Sequence, residues 1–92
     1  KGVTRVPPLG ITAQLWKPIL NAAMQKKTVI LEYRDAKGVV TQREVEPYEE
    51  KNGGLYAYCE SRGAIRFFKL ESILGAKMTN RMFVPKWDVK IQ

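Results

Sequence analysis

The chain has 92 residues, 45% of them hydrophobic and 27% charged; this is the composition of one small globular domain and excludes a disordered chain or a pair of full-sized domains. It carries no histidine and a single cysteine, which removes the commonest general base, the usual zinc ligand and any internal disulfide framework. Sixteen Lys and Arg against nine Asp and Glu leave a net charge of +7, a balance that draws polyanions through phosphate neutralisation and counterion release.

Residues 1–14, with Pro7, Pro8 and Gly10, show no period and read as an extended lead-in. From Leu15 to Lys27 the apolar residues Leu15, Ile19, Leu20, Ala23 and Met24 recur every three to four positions, which predicts a helix. Proline is tolerated only in a first turn, so Pro18 sets the start near Lys17, and Lys26 and Lys27 close the helix against its dipole.

At Thr28 the period changes to two. Residues 28–34 form a first strand, with Val29, Leu31 and Tyr33 on one face. Asp35–Gly38 is a tight turn, and residues 39–50 are the returning strand, whose regular pairing ends at Pro47. Asn52-Gly53-Gly54 is a second hairpin turn before a short strand over 55–60. Ser61-Arg62-Gly63 is a third turn before a strand over 64–70, and residues 72–79 form a fifth strand with a bend at Gly75. The basic, aromatic tail, 81–92, either adds a strand or lies across the sheet. One helix and five short strands predict an α+β, mainly β domain: an N-terminal helix on a half-open, five-stranded Sm-like or SH3-like β-barrel.

The charge is unevenly spread. Residues 1–31 carry +5, residues 32–60 carry −3 and residues 61–92 carry +5. An acidic belt of Glu44, Glu46, Glu49 and Glu50 thus separates two basic ends. In the third strand Leu55, Ala57 and Cys59 share a face, and Tyr56 and Tyr58 share the other, about 6.6–6.8 Å apart along the strand. That spacing suits successive bases stacked on phenol rings. Arg62, Arg66 and Lys69 follow on the next turn and strand as phosphate partners. Arg43 and Arg34 lie on the first hairpin with glutamates across the strands as expected partners, and Arg43 is kept as a further nucleic-acid contact. Trp16 and Trp87 are expected to anchor packing, and Cys59 to fill the core.

Several quoted stretches carry a resemblance. ILNAAMQKKTVILEYRDAKGVVTQREVEPY, then LYAYC, then RGAIRFFKLESI, over residues 16–80, resemble the WYL domain of bacteria. The namesake Trp-Tyr-Leu falls on Gly53-Gly54-Leu55, so only the leucine is kept. The resemblance implies an Sm-like barrel that binds a nucleic-acid ligand, often single-stranded DNA, on behalf of an attached protein. It places ligand contacts at Arg66 and Lys69, with Ser72 replacing the last basic position, at Tyr48 of the V-E-P-Y stretch, and at Ser61 and Arg62. Such domains follow a winged helix-turn-helix or end a DNA helicase. The close of this chain twelve residues after Asn80 favours the helicase arrangement.

The sequence therefore predicts a non-catalytic, cytoplasmic module for single-stranded DNA that modulates an attached helicase. It needs no metal or cofactor and has no membrane partner. The alternatives are the ligand-sensing domain of a transcription regulator, attached to a helix-turn-helix domain, and a protein docking barrel. The predicted ligand contacts are Tyr48, Tyr56 and Tyr58 as stacking rings, and Arg43, Ser61, Arg62, Arg66 and Lys69 as polar partners.

Overall fold

Thr12 begins the regular structure. Its hydroxyl accepts a hydrogen bond from Leu15 N at 3.3 Å and caps helix α1, Ala13–Gln25. The computed structural model describes residues 6–91, so residues 1–5 of the expected lead-in lie outside the described residues. The helix starts four residues earlier than Pro18 suggested, and Pro18 sits inside it. A proline there forfeits one backbone bond, a cost of about 3 kcal/mol. Trp16, Ile19, Leu20, Ala22 and Ala23 are buried from the same helix. Burial of the Trp, Ile and Leu side chains at about 1.5–3 kcal/mol each outweighs that loss. Lys26 ends α1 in the left-handed conformation, φ 58°, and its N–H bonds the carbonyls of Ala22 and Ala23.

Five strands follow: β1 Lys27–Arg34, β2 Val40–Lys51, β3 Gly54–Cys59, β4 Ala64–Lys69 and β5 Ile73–Met82. They form one antiparallel sheet in the order β4-β3-β2-β1-β5. A 3₁₀ turn, Leu70–Ser72, carries the chain from one edge of the sheet to the other. The expected mainly β domain with one N-terminal helix is what the chain builds, and the sheet stays open between β4 and β5. Across that opening Lys69 N donates to the Tyr33 hydroxyl at 3.1 Å, and the Tyr33 and Phe68 rings meet edge to face at 5.1 Å.

The turns follow their residues. Asp35 Oδ1 accepts from Lys37 N and Val39 N, each at 2.9 Å. Asn52 and Gly53 both take positive φ, 59° and 74°, as a two-residue hairpin requires. Pro47 stands where β2 has parted from β1, and Tyr48 is the extra residue of a bulge against β3.

One face of the sheet meets α1. There Val29, Leu31, Val45, Leu55, Ala57, Cys59 and Phe68 close on Trp16, Ile19 and Leu20. Cys59 and Trp16 are the core residues expected of them. The tail extends β5 to Met82, then crosses the opposite, outer face of β2 and β3, where Phe83 is buried, and Ile91 further along joins the core cluster that holds Trp16 and Leu55.

Candidate functional site

Strand pairing decides which predicted contacts can act together. Arg66 is opposite Ala57, and Arg43 is opposite Leu31. Both positions belong to the face that meets α1, and both arginines stay half-exposed there. Glu60 N donates to Glu44 O at 3.1 Å, which brings the β3–β4 turn beside Arg43. Ser61 and Arg62 lie on that turn and are exposed, and the Ser61 hydroxyl contacts the Cys59 sulfur at 3.5 Å. Arg62 N and Gly63 N both bond Cys59 O, which holds the turn tight, with Gly63 at φ 66°. Arg43 and Arg66 therefore share the helix-side face from β2 and β4, with Ser61 and Arg62 on the turn at that end of β3.

The expectation that glutamates neutralise Arg43 and Arg34 is corrected. Alternation turns Glu32 and Glu44 to the outer face, away from Arg43, which stands opposite Leu31; Arg34 shares the outer face with Glu32 but stands opposite Val40, and among the described residues it makes no ion pair either. Among the described residues Arg43, Arg62 and Arg66 make no ion pair. Their donors are open to an anion.

Lys69 and the tyrosines do not join them. Tyr56, Tyr58 and Lys69 pair with Phe67, Ile65 and Gly54 on the outer face. The expected single groove of cations and rings is thus divided by the sheet. Tyr48 is only 3% exposed and offers no open ring. Its hydroxyl donates to Glu46 Oε1 at 2.7 Å and accepts from Lys86 N at 3.0 Å. Phe83 and Trp87 pack edge-on to its ring at 5.7 and 5.3 Å. Burial and the neighbouring Glu46 carboxylate push its pKa up to about 12. Tyr58 carries the Lys86 ammonium over its ring at 4.2 Å and Trp87 beside it at 6.3 Å. Tyr56 is half-buried against Phe67, with 4.9 Å between ring centroids.

The residues that close the outer face were missed in the sequence. Arg81 binds Glu44 at 2.8 Å and Glu60 at 2.9 Å. Lys86 Nζ binds both oxygens of the buried Glu46, at 3.0 and 2.9 Å. Burial works against the Glu46 charge, but hydrogen bonds from Glu60, Tyr48 and Lys86 hold its carboxyl below the usual range. Burial and the adjacent Glu46 raise Glu60, against the lowering effect of its bond to Arg81. Hydrogen bonds from Arg81 and Thr28 lower Glu44. Glu44 and Glu46 of the acidic belt, and Glu60, are therefore answered by Arg81 and Lys86. The only sign of this in the sequence was the charge asymmetry between residues 32–60 and 61–92.

Among the described residues no group of His, Cys, Asp and Glu could hold a metal ion, and no helix is long and apolar enough to cross a membrane.

With this geometry in hand, comparison with known proteins is specific. The family model described as WYL domain matches residues 14–78. Among solved structures the chain is similar to proteasome accessory factor B/C (PafBC) of Arthrobacter aurescens, with a TM-score of 0.69 and 25% sequence identity. The match covers 86% of this chain and 15% of PafBC, so this chain corresponds to a small part of that protein. No curated protein matches the chain.

Proposed function

The chain belongs to the WYL domain family, and from that premise we propose that it is a regulatory, non-catalytic ligand-sensing domain of a WYL regulator, with a nucleic-acid strand as its ligand. The observation that carries this reading is the set of Arg43, Ser61, Arg62 and Arg66 on the helix-side face and its adjoining turn, where three guanidinium groups stand without a carboxylate partner among the described residues. The planar fork of arginine matches a phosphate through two parallel donors, and a serine hydroxyl adds a third kind of donor. Likeness to PafBC supports attachment to a helix-turn-helix domain in a regulator over attachment to a helicase. Modulation of an attached helicase, the leading expectation from the sequence, gains no support from these comparisons.

Phosphate contacts predict strong salt dependence. Three phosphates neutralised on a single strand give a log–log slope of about −2. Titration of a labelled single-stranded oligonucleotide at several salt concentrations measures it. A flat salt response, or full affinity after Arg43→Ala and Arg66→Ala together, overturns the reading.

A further inference from the structure

We propose a second binding site on the outer face, a cleft between the tail and strands β2–β4 that takes a single nucleotide by its base. The tail is fastened at two points: Lys86 on Glu46, and Lys90 N on Tyr48 O at 2.7 Å with Ile91 buried beyond it. Residues 87–89 span the distance between these anchors. Beneath them lies a cleft of about 630 Å³, within the range of small-molecule sites. This site is separate from Arg43 and Arg66, which lie on the other side of the sheet. Residues 87–90 also fall beyond the family match.

The lining supplies complementary chemistry. Trp87 is 51% exposed and Tyr56 half-exposed, and both present ring surface to the cleft. Exposed Ile65 adds an apolar floor between them. Such surfaces favour a flat heterocycle, at about 1–3 kcal/mol per stacked base. Lys51 reaches over the Tyr56 ring at 5.9 Å and Lys90 stands on the tail, so two ammonium groups flank the stacking position. Asp88 and Glu49 are acceptors for the amino group of a base, and Glu49 is only loosely paired with Lys51 at 3.9 Å. Two amines and two carboxylates leave the cleft without net charge. That balance suits one aminated base carrying one phosphate better than a long polyanion.

The test uses the two tryptophans. Trp16 is 6% exposed and Trp87 is 51% exposed, so quenching by an added nucleotide reports on Trp87. The chain is titrated with adenosine 5′-monophosphate at constant ionic strength, excited at the red edge of tryptophan absorption, with inorganic phosphate as a control. Saturable quenching by the nucleotide and none by phosphate is the expected result. Lys51→Ala with Lys90→Ala is expected to weaken the binding at least fivefold; both side chains are exposed, and the Lys90 backbone anchor survives. Arg43→Ala with Arg66→Ala is expected to leave it unchanged. Absent or unsaturable quenching, or loss of nucleotide binding in the arginine variant alone, overturns this site. Loss of oligonucleotide affinity without loss of nucleotide binding bears on the arginines and leaves the cleft standing.

Discussion

The ring of Phe67 lies directly over Gly54, filling the space that a Cβ at position 54 would need. The ring that covers this part of β3 therefore comes from the neighbouring strand. Gly54→Ala must push Phe67 off the Tyr56 ring. It is expected to cost about 1 kcal/mol, the worth of an aromatic pair. In a Phe67→Ala background the same substitution should cost close to nothing. Urea denaturation of the four proteins of the cycle measures the coupling, and equal costs in both backgrounds would show that the ring does not depend on the glycine.

Arg43 and Arg66 are expected to act as phosphate partners. Each single alanine substitution should lower affinity for a single-stranded oligonucleotide and reduce the salt slope by about 0.7. Lys77→Ala is the control, because Lys77 lies opposite Ile30 on the outer face. The check is binding anisotropy at four or more salt concentrations. A Lys77 effect equal to that of Arg66 would mean that the arginine set is not the site.

Tyr58 is expected to matter to the tail and not to the strand. Its ring already carries Lys86 and Trp87. Tyr58→Ala should loosen residues 84–91, seen as a fall in tryptophan anisotropy, while oligonucleotide affinity changes less than twofold. A loss of about 1–3 kcal/mol in affinity would instead identify it as a stacking platform.

Tyr48 gives the fold an alkaline limit. Its phenol ionises near 10 in an unfolded chain and at about 12 in the fold. The stability that comes from keeping it neutral is complete below pH 10 and is lost as the pH climbs towards 12, a loss of about 2–3 kcal/mol. The advantage of the wild type over Tyr48→Phe should therefore shrink across that interval. Denaturant midpoints at pH 9, 10, 11 and 12 give the comparison, and an advantage independent of pH would contradict the burial assigned to this hydroxyl.

Much of the fold was legible because alternation and turn chemistry agree along most of the chain. Gly38, Asn52 and Gly53 mark turns by backbone conformations that few other residues adopt readily, and Asp35 by the backbone N–H groups its carboxylate accepts from. Val29, Leu31, Leu55, Ala57 and Cys59 show their common face by spacing alone. The start of α1 was misplaced because a local rule about Pro18 was set against the burial of Trp16, Ile19 and Leu20, which no local rule sees. The site was legible by residue type and not by arrangement. In β4 both faces of the alternation hold a cation and an aromatic ring, so only pairing with β3 could tell that Arg66 lies with Ala57 on the helix side, and Phe67 and Lys69 with Tyr56 on the outer side. The roles of Arg81 and Lys86 depend on contacts 37 and 40 residues distant along the chain.

The ion pairs of Arg81 and Lys86 bear on how this domain should be cut from a gene. The family boundary at residue 78 invites a stop codon shortly after it. Truncation there would strip the counter-ions from Glu44, Glu46 and Glu60 and unroof Tyr48 in one stroke. The shortened protein would carry three uncompensated carboxyl groups along that strip, so an expression boundary drawn by homology alone would change the charge of a whole face of the sheet.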